Sequence, residues 1–470
     1  MRPTAALLGL AWVLAGCAVV GPDYRSPKTD LPPAWSPAEP VPSPAAPLDA
    51  EWWRRFDDPL LTQLVERALA ANTDVRIARA RLRVARATSV QAESLLWPSL
   101  NAYGSATRSS NGGQDAVSSY GLGFDAVWDI DLFGGLGRGV EATDADAMAS
   151  AATLASTQVS LAAEVARGYV QLRAYQLRIA ITQANLDNQS QTLQISEWRA
   201  QAGLVGQLDV EQARSNREQT RAQRPALQDA ATQTINALAV LLNVAPGTLA
   251  PELAAAAAPT IPSAAAQPLA GIPADLLRRR PDIVAAERSL AAATARIGVA
   301  EAALYPSLSL GGTLGLQGAA LSALSGSAAA TRLIAASLGA PIFDAGRLRQ
   351  QVVIRSAEQE QALAAYEAAL FGALRDVENA RAALANGQAR GEALALAVQA
   401  ARNAALLANF RYRSGLVDFQ TVLDTERSVR TLEDSQASTQ ADTVIALIQL
   451  YKALGGGWSA DTPTASGPSP

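Results

Sequence analysis

Ser94-Leu95-Leu96-Trp97-Pro98-Ser99-Leu100 returns as Ala302-Ala303-Leu304-Tyr305-Pro306-Ser307-Leu308. Each copy closes a charged, Ala-rich helical stretch and opens a glycine-rich alternating one. Further on, Phe133-Gly134 returns as Phe343-Asp344, and Gly203-Leu204-Val205 returns as Gly415-Leu416-Val417. The offsets are 208 (98 to 306), 210 (133 to 343) and 212 (203 to 415). A nearly constant offset marks one duplicated structural unit. Such a repeat has to be settled before any local assignment, because it decides the whole fold.

Each unit carries two strand-like segments. In Tyr120–Leu132 every second residue is apolar (Tyr120, Leu122, Phe124, Ala126, Trp128, Ile130, Leu132), and mostly small or acidic residues lie between. The second half answers with Leu308, Leu310, Gly312, Leu314 and Leu316 against Ser307, Ser309, Gly311, Thr313, Gly315 and Gln317. One such segment fits a soluble sandwich strand as well. Four of them, each fed by a long helix, fit strands with lipid on one face and water on the other.

The helices are long. Leu136–Ala202 has no proline and is rich in helix formers, and at about 1.5 Å per residue it reaches roughly 100 Å. Val165, Leu172, Ile179, Leu186 and Leu193 recur every seven residues, and the second half gives Leu363, Leu370, Val377 and Leu384, then Gly391 and Val398. A seven-residue repeat marks coiled-coil packing. The stripe is narrow and flanked by alanine, as for staves in a wall of helices. Return helices are expected over Asp209–Asn243 and Asp418–Leu454, and shorter ones over Thr73–Leu96 and Pro281–Leu304.

The N-terminus has Arg2, an apolar run Ala5–Leu14 and then Leu14-Ala15-Gly16-Cys17. That run is too short to span a bilayer and fits a secretory signal. Leu-Ala-Gly-Cys resembles a bacterial lipobox, in which cleavage leaves Cys17 first and acylated, palmitate included. Ala18 in place of aspartate resembles the pattern sent to the outer membrane. The prolines of Asp30–Pro47 favour an extended tether. The chain thus divides into 1–16 signal peptide, 17–50 lipidated tether, 51–245 first repeat, 246–272 linker, 273–455 second repeat and 456–470 disordered tail.

Composition narrows the function. The 470 residues carry a formal net charge of −4, one cysteine and no histidine. An intrachain disulfide is excluded, and the commonest general base and zinc ligand are missing. Acidic residues form no acid–base pair or metal motif, so neither an enzyme nor a cofactor is expected. No basic cluster tracks aromatic residues, so nucleic acid is not an expected partner.

Four strands per chain cannot close a barrel, and an open edge in lipid leaves backbone groups unsatisfied. The chain must therefore oligomerise, as a dimer with eight strands or a trimer with twelve. An eight-stranded barrel is filled by its own side chains, which favours the trimer if the barrel conducts.

Four stretches resemble the TolC-type outer-membrane efflux family, in its lipoprotein (OprM/NodT-like) branch serving resistance–nodulation–division pumps. They are Cys17–Pro27 (CAVVGPDYRSP), Trp52–Leu82, Gly271–Glu287 (GIPADLLRRRPDIVAAE) and Leu450–Trp458 (LYKALGGGW). The resemblance implies a mixed α and β membrane protein: a homotrimer with a twelve-stranded transmembrane barrel in the outer membrane, continued by a long periplasmic α-helical barrel. It implies passive export of small molecules such as drugs, driven by an inner-membrane pump through a periplasmic adaptor. A duct for protein (type I) secretion is the alternative. A periplasmic adaptor would need a lipoyl-like domain and a single hairpin, and a secreted carboxylate hydrolase would need a motif this chain lacks.

Two candidate sites follow. The turns Gly203-Leu204-Val205 and Gly415-Leu416-Val417 each join two antiparallel helices and are expected to be periplasmic tips that dock the adaptor. Family members place an aspartate at the Asp424 position and an arginine three residues on, at Arg427, at the closed periplasmic end. Threefold symmetry would make each a ring of like charges. Asp209 and Arg214 lie in roughly the equivalent stretch of the first half and are expected to complete pairs across protomers. The plainer expectation is that Asp424 and Arg427 form a solvated helix pair and that Asp418 is an N-cap.

Overall fold

The structure is a computed structural model and describes residues 19–27, 51–110, 112–113, 115–254, 260–263 and 280–457. Cys17, most of the tether and Trp458 lie outside the described residues. The chain forms two compact units: one from Arg79–Thr153 and Asp282–Ala369 with residues 19–27, the other from the rest.

In the first unit four strands form one antiparallel sheet in the order β1 (Ser99–Ser109), β2 (Val117–Ile130), β3 (Ser307–Gly318), β4 (Ala330–Gly339). The central pair joins the two repeats, with Leu122 opposite Leu316, Phe124 opposite Leu314 and Trp128 opposite Leu310. Alternation therefore aligns across the repeats and puts the large apolar side chains on one face. That face is uncovered: Leu122, Phe124 and Leu314 are exposed, and Ile334 on β4 is 84% exposed. Among the described residues the outer edges of β1 and β4 have no strand partner.

The helices are α1 (Pro59–Ala71), α2 (Thr73–Ser94), α3 (Gly135–Gln201), α4 (Gln207–Leu241), α5 (Ala250–Ala254), α6 (Pro281–Ala302), α7 (Arg347–Arg413) and α8 (Phe419–Ala453). Of these, α2, α3, α4, α6 and α8 fall close to their expected bounds, whereas α5 lies in the segment expected to be a linker. Of the heptad stripe, Val165, Leu172, Leu193, Leu370, Val377 and Val398 are buried. Within 246–272, α5 forms and Leu249, Leu253 and Ile261 are buried.

The second unit has an aromatic core. Trp52 is fully buried, stacked on Tyr451 at 5.4 Å and edge-on to Trp53. Asp58 caps α1 by accepting from the Leu60 and Leu61 amides at 3.0 Å, and its other carboxylate oxygen accepts the Tyr169 hydroxyl at 2.8 Å. Burial, with that bond adding, pushes the Tyr169 phenol up to about 12. Arg280 is buried and donates to the Ala453 carbonyl, an end group of α8 that the helix itself leaves unpaired. The Arg-Pro-Asp and Leu-Tyr-Lys-Ala-Leu stretches are thus in direct contact.

Candidate functional site at the hairpin tips

Both tips end their helices alike. Gly203 (φ +69°) and Gly415 (φ +73°) are left-handed, where a side chain would be strained. The Leu204 amide reaches back to the Arg199 carbonyl, and the Leu416 amide to that of Arg411, each at 2.9 Å. This doubled-back pattern satisfies carbonyls a helix end leaves open. Leu204 and Leu416 then project into solvent, 68% and 74% exposed, while Val205 and Val417 are half-buried. Each tip thus presents an apolar side chain on a rigid turn.

Beneath the tips Leu193, Val210, Ala213, Ala408, Tyr412, Phe419, Val422 and Leu423 form one core. Arg199 lies over the Tyr412 ring at 4.4 Å and donates to the Tyr412 carbonyl at 2.6 Å, fixing α3 against α7. Asp418 caps α8 through the Thr421 amide and hydroxyl, which hold its carboxyl below the usual range.

Asp424 and Arg427 are brought together within one chain, at 3.6 Å and both more than half exposed. Gln420 also donates to Asp424. Arg214 pairs with Glu211 at 2.8 Å and Glu197 at 3.6 Å, not with either of them. Asp209 lies in the first turn of α4.

The sequence reading missed a part-buried polar seam. Arg178, Asn185, Thr192 and Arg199 recur every seven residues on α3, one position before the apolar stripe. Arg178 forks onto Asp434 (2.6 and 3.0 Å), Asn185 donates to Glu433 (3.1 Å) and Thr192 to Glu426 (2.8 Å). Glu426 also faces Asn216 of α4 and Asn409 of α7. Burial outweighs these bonds and raises the Glu426 carboxyl. The seam borders a cavity of about 410 Å³ lined by Asn185, Gln189, Thr192, Arg402, Asn409 and Glu426, among others. A polar heptad beside an apolar one was the signal that could have found it. Among the described residues no group of carboxylates is arranged to hold a metal ion.

The chain matches the model of the outer membrane efflux protein family over residues 64–244 and 272–456. It is 35% identical to the pyoverdine export outer membrane protein OpmQ of Pseudomonas putida, covering 88% of this chain and 90% of that one. It is 32% identical to the toluene efflux pump outer membrane protein TtgC of Pseudomonas putida, with 98% of each chain covered. Among solved structures it resembles the outer-membrane channel OprN with a TM-score of 0.87 and 38% identity, over 93% of this chain and 99% of that one. The chain belongs to the outer membrane efflux protein family and is an outer-membrane channel of a tripartite efflux system.

Proposed function

We propose that this channel is a homotrimeric, passive export duct for small molecules, anchored in the outer membrane by acylated Cys17 as well as by its strands. It works with a periplasmic adaptor and an inner-membrane resistance–nodulation–division pump. The observation that carries this reading is the sheet: among the described residues, four strands with both outer edges unpaired and one apolar face exposed. In lipid those edges must be paired. Three copies joined β4 to β1 give twelve strands and no edge, with room for a lumen. The relatives' names, a pyoverdine export protein and a toluene efflux pump component, support small cargo.

On this reading the tips at Gly203–Val205 and Gly415–Val417 dock the adaptor. Their support is the exposed Leu204 and Leu416 on rigid turns. Asp424 and Arg427 form the periplasmic gate, and Asp209 and Arg214 are offered as cross-protomer partners. The test is the detergent-solubilised protein, which should run as a heat-modifiable trimer and form channels in planar bilayers. A detergent-independent monomer would end the proposal.

A further inference from the structure

The residues just after Cys17 are seated in a socket that the rest of the chain builds for them. The Val20 amide donates to the Phe133 carbonyl at 3.1 Å. Gly21 (φ +92°) lies directly on Gly298 of α6: a Cβ on Gly21 would stand 2.4 Å from the Gly298 Cα. A Cβ on Gly298 would in turn stand 2.9 Å from Cγ of Arg138. Only glycine at both places lets the two backbones and the arginine stem share that space.

Arg138 closes the socket. It is 7% exposed, and its guanidinium donates to the Val20 carbonyl (3.3 Å), the Gly21 carbonyl (3.3 Å), Asp23 (2.7 Å) and Glu141 (2.7 Å). A buried arginine spending its fork on another segment's backbone carbonyls is a recognition device. Three residues on, the Tyr24 hydroxyl donates to Glu287 at 3.0 Å, with Arg288 over its ring and Ala145, Ala291 and Ala292 beneath. Burial chiefly, with Glu287 adding, raises the Tyr24 phenol to about 12, so it remains a donor at any physiological pH.

We propose that this socket binds the chain's own processed N-terminus and thereby sets where the acyl anchor enters the membrane. One residue, Ala18, lies between Cys17 and Val19, and the two Cα steps reach at most about 7 Å. With Val20 tied to Phe133, the strap that begins at Val19 is fixed at the level where β2 passes into α3. The socket draws on both repeats, with Phe133 and Arg138 from the first and Gly298 and Glu287 from the second. Among the described residues no such strap covers the matching place in the second repeat: Ile342 and Phe343 are 92% and 89% exposed. The proposal rests on the reading of Cys17 as the acylated residue.

The test uses the full-length protein in lipid nanodiscs. Once Cys17 is acylated no other cysteine remains, so Val19→Cys carries a single nitroxide at a side chain that is already 63% exposed. The parent should give an immobilised spectrum and a narrow oxygen-against-nickel accessibility depth. Gly298→Leu and Arg138→Ala should each convert most of the signal to fast motion and broaden the depth, with trimers kept. Should Gly298→Leu lose the trimer, Asp23→Asn removes one strap contact without touching helix packing, and it should still raise mobility. Unchanged mobility and depth in all variants would overturn the socket. Mass spectrometry separates the two readings: were Cys17 unacylated, adding Cys17→Ser would restore the single label, and mobility still responding as expected would keep the socket and defeat the anchor.

Discussion

The two hairpin tips are copies that have diverged in what they bury. Val210 and Val422 match across the duplication (210 to 422, an offset of 212) and are both buried. Four residues on, the copies part. Arg214 turns outward to Glu211 and Glu197, whereas Glu426, its counterpart at the same offset, turns inward to Thr192 and Asn216. The strand-to-helix junctions differ in the same manner, with a strap over Phe133 and a bare Phe343. Duplication repeats the backbone; the departures from it are where one copy has acquired a separate task.

The bare junction gives the largest expected effect. If Ile342 and Phe343 pack against a neighbouring protomer, Ile342→Asp with Phe343→Asp puts two carboxylates into that interface, each costing several kcal/mol. The trimer band on semi-native gels should then fall more than tenfold. Trimers at the parental level would mean that this face stays outside the interface.

Next in size is the divergent pair at the tips. Glu426→Ala leaves the buried Thr192 and Asn216 without their half-buried partner, which costs about 2 kcal/mol. Arg214→Ala removes a solvated pair worth less than about 1 kcal/mol. Urea midpoints of the two variants should separate accordingly, and equal shifts would erase the contrast between the copies.

A pH series sharpens the same comparison. Because burial raises the Glu426 carboxyl in the fold, the folded chain holds that proton more tightly than the unfolded one. The stabilisation is complete below the ordinary glutamate value of about 4.3 and is lost as pH rises through the raised value. Glu426→Gln keeps the shape without the charge. It should flatten the loss of stability in that window and gain up to about 1 kcal/mol over the parent at neutral pH. A parallel pH profile in parent and variant would mean that the carboxyl is not the titrating group.

Much of this architecture was legible because its signals are periodic. Alternation in Tyr120–Leu132 and in Leu308–Gln317 named β2 and β3, and helix bounds fell within a few residues. The outer strands were harder to place: β1 (SLNAYGSATRS) mixes polar and small residues on both faces, so no alternation marks its bounds. The tips were readable because glycine is required at a left-handed residue. The seam was not, since Arg178, Asn185, Thr192 and Glu426 look like surface residues until four helices are brought together around them. The socket was equally hidden: Gly21 and Gly298 stand 277 residues apart (21 to 298), and only the fold shows that their backbones touch.

The smallest effect on stability is expected at Asp424 and Arg427, and there stability and transport should part company. Within one chain the pair is one turn apart, 3.6 Å across and more than half exposed. Such a pair is worth about 0.3 kcal/mol. Asp424→Ala and Arg427→Ala should therefore leave the melting curve almost unmoved. If threefold symmetry gathers three copies of each at a closed end, like charges face one another at short range, and cations held by the carboxylates relieve their repulsion. Wild-type trimers in planar bilayers should then show low conductance with cation block from the periplasmic side. Asp424→Ala should abolish the block, and Arg427→Ala should raise conductance. Arg214→Ala, in the copy whose arginine is already paired with Glu211 and Glu197, should do less unless Arg214 reaches across protomers. Currents unchanged in Asp424→Ala and Arg427→Ala, beside unchanged melting, would reduce the pair to a solvated contact.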